Sequence, residues 1–394
     1  MRLLHVVPTY VPAWRHGGPI LAVHGLCRAL VERGHEVTVL TTDVHGDGRL
    51  DVPLGEPVRV DGVEVWYFPV RWPRRLYVSP ALGRAALRVL RGVDLLHLHS
   101  VFLWPTTAAA RAAERAGVPY VVSPRGMLVP DLIARRGRWR KRAWMLVAER
   151  RTLERAAALH ATSALEAEEA ARLGLPLPPV FKVPNGVDLP SQDGVERREP
   201  FLLFLGRVSW KKGLDRLIPA LAHCPGVELK VAGNDEEGLR PELERLAGEA
   251  GVAGRVVFLG PMAGKEKASL LRRAAILVLP SRSENFGNVV LEAMAAGCPV
   301  AVTPEVGLAE TVRETGAGIV FDAADGDPAR LGEALRDLMA DAARRQEMGC
   351  RGARAAADRF GWPAVAREME AMYDRILASG RGGSGRRVGG STRP

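Results

Sequence analysis

The sequence predicts an α/β chain made of two doubly wound parallel-sheet units, and three observations lead there. Short β-branched runs alternate with longer amphipathic stretches, the order that places helices on both faces of a parallel sheet. The alternation begins at residue 3 and restarts at Phe201-Leu202-Leu203-Phe204-Leu205. At 394 residues, 47% hydrophobic and 25% charged, the chain is long enough for two cores and too apolar for disorder as its main state.

In the first half, strands are expected at residues 3–7, 36–41, 63–70, 94–99, 119–123, 159–162 and 180–183, with helices between most of them. In the second half they are expected at 201–205, 228–232, 255–259, 276–280, 299–303 and 318–321. Pro184-Asn185-Gly186-Val187-Asp188-Leu189-Pro190 and the polar stretch up to Pro200 have the composition of a hinge. This sets a first unit at 1–185 and a second at 190–361. From Asp327 the pattern is helical, and Phe360-Gly361-Trp362-Pro363 interrupts it before a last helix at 362–378, which is expected to pack back on the first unit. Residues 379–394, rich in Gly, Ser and Arg, are expected to be a disordered tail.

No apolar run reaches the ~18 residues of a spanning helix, and the first residues enter a strand pattern too early for a signal peptide. A cytoplasmic protein is expected. Cys27, Cys224, Cys298 and Cys350 lie far apart without a C-x-x-C pair, which argues against a zinc site or a disulfide framework and makes them small buried hydrophobes. The net charge of +10 is local. Residues 71–91 carry six Arg and no acid, 135–151 carry seven Arg and one Lys against Glu149, and 381–394 carry four Arg and no acid, so the remainder is net acidic. That distribution fits a patch facing an anionic surface better than a nucleic-acid binder. The stretch 135–151, with Trp139 and Trp144 interleaved, suits either an anionic membrane surface, which would make the protein peripheral at the inner face of the plasma membrane, or a solvated helix face in an Arg-rich protein.

Doubly wound sheets bind ligands at the carboxyl ends of their strands. Neither a G-x-G-x-x-G fingerprint nor a G-K-[ST] triplet is present, which weakens hydride-transfer and NTPase readings. A Gly17-Gly18 pair precedes a helix start whose amides could receive a phosphate, or forms a plain turn. In Gly206-Arg207-Val208-Ser209-Trp210-Lys211-Lys212-Gly213, Arg207 can fork onto two phosphate oxygens and Lys212 can act as a movable point charge; solvated loop cations are the bland alternative. In Ser283-Glu284-Asn285-Phe286-Gly287-Asn288-Val289-Val290-Leu291-Glu292, two acids straddle a helix start. Glu284 in the loop suits sugar hydroxyls, Gly287 allows close backbone approach, and Glu292 suits a ribose diol. His97 and His99 are read as closing their strand on opposite faces, His99 toward the ligand cleft because a loop follows it. A metal site from His16, His97 and His99 is not expected, since no second-shell carboxylate accompanies them.

The combination G-R-x-x-x-x-K-G, then E-x-F-G-x-x-x-x-E-A-M-A-x-G-x-P-V, with the early Gly-Gly and P-N-G-V-D, resembles the family 4 (group 1) retaining glycosyltransferases of the GT-B fold, over nearly the whole chain apart from the tail. The resemblance implies two Rossmann-like lobes with an interlobe cleft, an acceptor-side first lobe and a nucleotide-sugar-binding second lobe. It implies that Arg207 and Lys212 hold the donor diphosphate, Glu284 orients the donor sugar, Phe286, Gly287, Asn288 and Val289 line sugar and phosphate, and Glu292 binds the ribose. Gly17 and Gly18 would close over the phosphates, and residues 259–262 would frame the nucleobase. Many members carry a donor-touching His where this chain has Ser123-Pro124-Arg125-Gly126-Met127, a segment similar to that of polysaccharide-building members; Arg125 stands near that position.

The implied reaction moves a sugar from a UDP- or GDP-sugar to a carbohydrate or lipid-linked acceptor hydroxyl with retention, in cell-surface polysaccharide or glycolipid biosynthesis. Neither a cofactor nor a metal is required, and nucleic acid is not a partner. Two alternatives remain at this point, a nucleotide-sugar epimerase of the same fold and a non-catalytic sugar-nucleotide binding protein.

Overall fold

The computed structural model describes residues 1–13, 18–130, 149–190, 198–322 and 327–383. The chain divides into two compact units, Met1–Pro184 with Trp362–Pro394, and Asn185–Gly361.

The first unit runs β1 (Arg2–Val6), α1 (Gly18–Glu32), β2 (Glu36–Thr42), the ribbon β3 (Val44–His45) and β4 (Gly48–Arg49), β5 (Pro57–Val60), β6 (Val63–Phe68), α2 (Pro80–Val89), β7 (Leu95–His99), α3 (Trp104–Ala116), β8 (Tyr120–Ser123), α4 (Arg150–Glu154), β9 (Ala158–Ala161), α5 (Ala164–Ala171) and β10 (Val180–Lys182). Its sheet has the order β10-β9-β8-β7-β1-β2-β6-β5, parallel except for β5, which pairs antiparallel with β6. The small strands β3, β4 and β5 were not expected. They are two to four residues long and Val44 is the one fully buried residue among them, so no buried face writes a pattern into their sequence.

The second unit runs β11 (Glu199–Leu205), α6 (Leu214–Ala220), β12 (Glu228–Ala232), α7 (Arg240–Glu249), β13 (Val256–Gly260), α8 (Gly264–Arg273), β14 (Ala274–Leu279), α9 (Asn288–Ala295), β15 (Val300–Val302), α10 (Ala309–Thr315), β16 (Gly318–Val320), α11 (Pro328–Ala340) and α12 (Ala342–Phe360). Its sheet, β13-β12-β11-β14-β15-β16, is parallel throughout. The central strands are apolar on both faces, as β14 (Ala-Ala-Ile-Leu-Val-Leu, every residue buried) illustrates, because helices cover both sides.

The last helix, α13 (Trp362–Gly383), belongs to the first unit. Trp362, Val365, Ala366, Met369, Met372, Tyr373 and Ile376 recur at helical spacing and enter that unit's core. A methyl group on Gly25 of α1 would lie 2.0 Å from Cζ2 of Trp362, so the absent side chain makes the seat for the indole. Glu370 adds ion pairs to Arg33 (2.5 Å) and His35 (2.6 Å). Helix α13 runs to Gly383, past the expected tail boundary at 379 and through Gly380 and Gly382, and residues 384–394 lie outside the described residues. Cys27, Cys224 and Cys298 are buried, but Cys350 is exposed on α12, so it is not a core residue.

Candidate active site

In the second unit the chain winds outward in both directions from β11 and β14, so the switch point lies between these two strands. The loops leaving their carboxyl ends are where a doubly wound sheet receives its ligand. The β11 loop carries Arg207 and Lys212, and the β14 loop carries Glu284, Phe286 and Gly287. Sheet order alone therefore brings together two segments about 70 residues apart in the chain.

Close backbone approach fixes both loops. Gly213 has φ +70, and a Cβ there would sit 2.0 Å from the Pro280 carbonyl oxygen, so only glycine lets the β11 loop press on the end of β14. Arg282 fastens the same junction: its guanidinium forks onto Asp215 at 2.7 and 2.6 Å and donates to the Trp210 carbonyl at 3.1 Å, while its amide donates to the Lys211 carbonyl at 2.7 Å. Glu284 is held on the main chain, donating to Glu305 O at 3.0 Å and accepting from Gly307 N at 2.9 Å. With its backbone immobile, its carboxylate pairs with the ammonium of Lys212; both side chains are mostly buried, 15% and 20% exposed.

The four charged groups expected to act together thus form three pairs. Lys212 and Glu284 meet directly. Arg207, 62% exposed, pairs with Glu236 at 3.0 Å, and Glu292 pairs with Lys267 of α8 at 2.5 Å. Arg207 shares its loop with Lys212 but bonds to none of the other three. Gly287 (φ +94) caps α9, whose first amides lack intrahelical partners. Asn288 accepts at Oδ1 from Asn185 Nδ2 at 2.9 Å, Val289 packs half-buried on the core, and Phe286 is a core residue at 4% exposure. The Phe286 ring therefore faces the interior, leaving its backbone to the loop.

The first unit has its own switch point, between β1 and β7. Gly18 opens α1 after β1; Gly17, like most of 135–151 and His16, lies outside the described residues. His97 and His99 do not lie on opposite faces of β7: strand alternation puts residues two apart on one face, and their rings stack at 4.2 Å. His5, His97, His99, His160 and Ser123 are all buried near the ends of their strands. Three of these have hydrogen-bond roles that can be ordered from one fixed acceptor. His160 Nε2 donates to the Val183 carbonyl (2.8 Å), so its Nδ1 accepts from Ser123 Oγ (2.6 Å); Ser123 accepts from His97 Nε2 (2.7 Å), and His97 Nδ1 accepts from Tyr373 (2.7 Å). On a second branch Arg125 donates to His99 Nδ1 at 3.2 Å, and His99 Nε2 donates to His5 Nδ1 at 3.0 Å.

Arg125, half-buried, sits in a turn at φ +55 and is set by Glu166, whose Oε1 accepts from Gly126 N at 2.8 Å and whose Oε2 accepts from Thr162 N and Oγ1. Ser100 (φ +76) and Phe102 (φ +62) in the β7 loop are also left-handed, a cluster of strained positions at one sheet edge. His99 is 1% exposed with both nitrogens engaged, so it supports Arg125 from beneath. Burial and the Arg125 charge push the His5 and His160 imidazoles down to about 3. Burial, with the neighbouring histidines and Arg125, holds His97 and His99 well below the usual range. All four are neutral at pH 7. Nitrogens of His5, His97 and His99 lie within 4.8 Å of one another, near enough to share a metal, yet in the tautomers assigned above each ring's lone pair already accepts a hydrogen bond.

Sequence reasoning missed His5, His160, Tyr373, Arg282 and Lys267. The histidines left a signal, since four of the chain's nine sit in strands of the first unit's sheet.

Two doubly wound units, the second with a cation–carboxylate pair at its switch point, define a protein of the doubly wound α/β class, with paired charges at the sheet edge where such folds receive ligands. Residues 17–186 match the model for the glycosyl transferase 4-like domain and residues 189–355 the model for glycosyl transferases group 1. A D-inositol 3-phosphate glycosyltransferase of Xylanimonas cellulosilytica is 33% identical over 395 residues, covering 91% of this chain and 91% of its own. Among solved structures, sucrose-phosphate synthase from Thermosynechococcus elongatus superposes with a TM-score of 0.75 at 21% identity, over 96% of this chain and 100% of its own. Anabaena Alr3699/HepE in complex with UDP and glucose gives 0.73 at 19% identity, over 95% and 99%. The chain belongs to the group 1 glycosyltransferases of family 4 and has the GT-B fold of two Rossmann-like units. Among the described residues no helix is long and apolar enough to cross a membrane.

Proposed function

We propose that the protein transfers a sugar from a UDP- or GDP-sugar to an acceptor hydroxyl with retention of anomeric configuration. The observation that carries this reading is the Lys212–Glu284 pair held rigidly at the second unit's switch point. A diphosphate arriving there meets Lys212 and Arg207 on one loop and the N-terminus of α9 on the other. Glu284, freed from part of its pairing as Lys212 turns to phosphate, accepts from sugar hydroxyls, while Asn288 and Val289 border the phosphate and Gly287 admits it. The bond from the anomeric carbon to the diphosphate breaks, the acceptor oxygen bonds to that carbon on the same face, and its proton passes to the departing phosphate. Preorganised cations and helix amides stabilise the charge that develops there, and no resident metal takes part.

Arg207 is exposed and makes only a surface pair, so its removal costs the fold little. Arg207→Ala is expected to lower kcat/KM by about tenfold or more while leaving the melting temperature nearly unchanged. Full transferase activity in the purified variant overturns that role. Release of UDP or GDP only when acceptor is present separates transfer from epimerisation, and any donor turnover excludes a purely binding protein.

The acceptor is proposed to be a carbohydrate or a lipid-linked one, met in the cytoplasm at an anionic membrane surface during cell-surface polysaccharide or glycolipid synthesis. Of residues 135–151 only 149–151 are described, and Arg150 and Arg151 pair with Glu154 and Glu114. Support comes from residues 71–91 instead. Trp72 is 90% exposed, and Arg71, Arg75, Arg84, Arg88 and Arg91 are exposed and make no side-chain ion pair among the described residues. On α2, Arg84, Leu87 and Arg88 follow helical spacing opposite the buried Leu82, Ala85 and Ala86, and Arg91 follows in the 3-10 turn Leu90–Gly92. Cosedimentation with phosphatidylglycerol vesicles at low salt is expected to exceed that with phosphatidylcholine by about tenfold or more, and to fall when Trp72, Arg84 and Arg88 become alanine. Equal binding to both vesicles removes the membrane from this reading.

A further inference from the structure

Glu292 is not an unoccupied carboxylate. Lys267, in the first turns of α8, brings its ammonium 2.5 Å from Glu292 Oε2 on α9, and each side chain is only 24% exposed. Oε2 is buried and, although the ammonium lies beside it, accepts no hydrogen bond among the described residues, so the pair keeps an unused acceptor. Other pairs on this unit's helices, Arg240–Glu244 and Arg245–Glu249, are i,i+4 neighbours on one helix and are half-exposed or more. The Lys267–Glu292 pair instead joins two helices that both start at the carboxyl edge of the sheet, one after β13 and one after β14. Lys265, two residues earlier on α8, is exposed.

The geometry points to Lys267 as a second ribose-reading residue: with Glu292 it forms a donor–acceptor pair matched to a vicinal diol. This rests on the nucleotide-sugar reading above and adds to it the residue that completes the nucleoside subsite. A carboxylate can only accept and an ammonium can only donate, whereas each hydroxyl of a cis diol does both. One ribose hydroxyl donates to the Glu292 carboxylate, and the oxygen of the other accepts from Lys267 Nζ, whose three N–H groups make no hydrogen bond to Oε2. The ammonium therefore fixes the carboxylate before the nucleotide arrives and recognises the diol itself. Removing either hydroxyl leaves one member of a half-buried charged pair without its ligand contact, the kind of loss that discriminates strongly.

Calorimetric titration of the full chain with UDP and GDP, and with their 2′-deoxy and 3′-deoxy forms, tests this. The wild type is expected to bind at least one ribonucleotide about tenfold or more tighter than its deoxy forms. Lys267→Ala is expected to weaken the ribonucleotide by about tenfold, leave the deoxy forms nearly unchanged and so collapse the discrimination. Lys267→Arg should restore most of it, and Lys265→Ala, with the same loss of charge on the same helix, should keep the wild-type ratio. Equal weakening of ribo and deoxy nucleotides by Lys267→Ala, or no weakening at all, overturns the inference while leaving the nucleotide-sugar reading intact. Failure of the wild type to bind either ribonucleotide overturns both. Thermal melting of each variant shows whether a lost signal reflects a lost fold, and in that case retained discrimination in Lys267→Arg or its absence decides.

Discussion

Lys212→Ala is expected to lower kcat/KM by about 10²- to 10³-fold, the magnitude seen when one preorganised stabiliser of developing charge is removed. The lysine is mostly buried, its loop is clamped by Gly213 against Pro280, and Arg282 ties that loop to Asp215. Few conformations are open to it, so little entropy is spent in presenting the charge to phosphate. Its loss also leaves the Glu284 carboxylate without its partner, and that costs the fold something as well. Two measurements separate the contributions. The melting temperature should drop by a few degrees, and Glu284→Gln introduced alongside Lys212→Ala should recover most of that drop but none of the rate. A Lys212→Ala enzyme with kcat/KM within about twofold of wild type contradicts the assignment.

The second large effect concerns pH. His5 and His160 are held at about 3 in the folded chain against an ordinary value of 6.5, and His97 and His99 are lowered too, by burial first and by neighbouring histidines and Arg125 next. The unfolded chain therefore takes up protons below pH 6.5 that the folded chain refuses. Stability is full above that value and falls as the pH drops toward about 3, by about 1.4 kcal/mol per pH unit for each histidine that protonates only on unfolding. With at least two such groups, a domain of ordinary stability is exhausted within a few pH units. Calorimetry at a series of pH values should show a transition that moves steeply to lower temperature between about pH 6 and pH 4. A transition that stays level over this range would show that the histidines titrate normally.

Much of this was legible in the sequence. A strand followed by Gly-Arg-Val-Ser-Trp-Lys-Lys-Gly, and a later strand followed by Glu-Asn-Phe-Gly and an apolar helix, place charged loops at strand ends without any coordinates. What was not legible are contacts whose partners are close only because of sheet order. His97 and Tyr373 are 276 residues apart, His5 and His99 94, and Arg282 and Asp215 67. No periodicity carries such information, because each member obeys its own local pattern: Tyr373 reads as one more apolar position on α13, and Lys267 as a helix-surface lysine. Phe286 differs again: its place in the motif points to the ligand, while its ring, 4% exposed, packs in the apolar interior and leaves the backbone to the loop. The face assignment of His97 and His99 failed against strand alternation itself.

Thermal melting of wild type and Lys212→Ala with a panel of UDP- and GDP-sugars reads out whether the switch-point cation–carboxylate pair of the second unit grips an activated sugar nucleotide. A ligand that prefers the native state raises the melting temperature. At least one sugar nucleotide should do so for the wild type, and the shift should vanish in Lys212→Ala. A shift that survives intact in the variant, or a panel that moves the wild type nowhere, contradicts the claim.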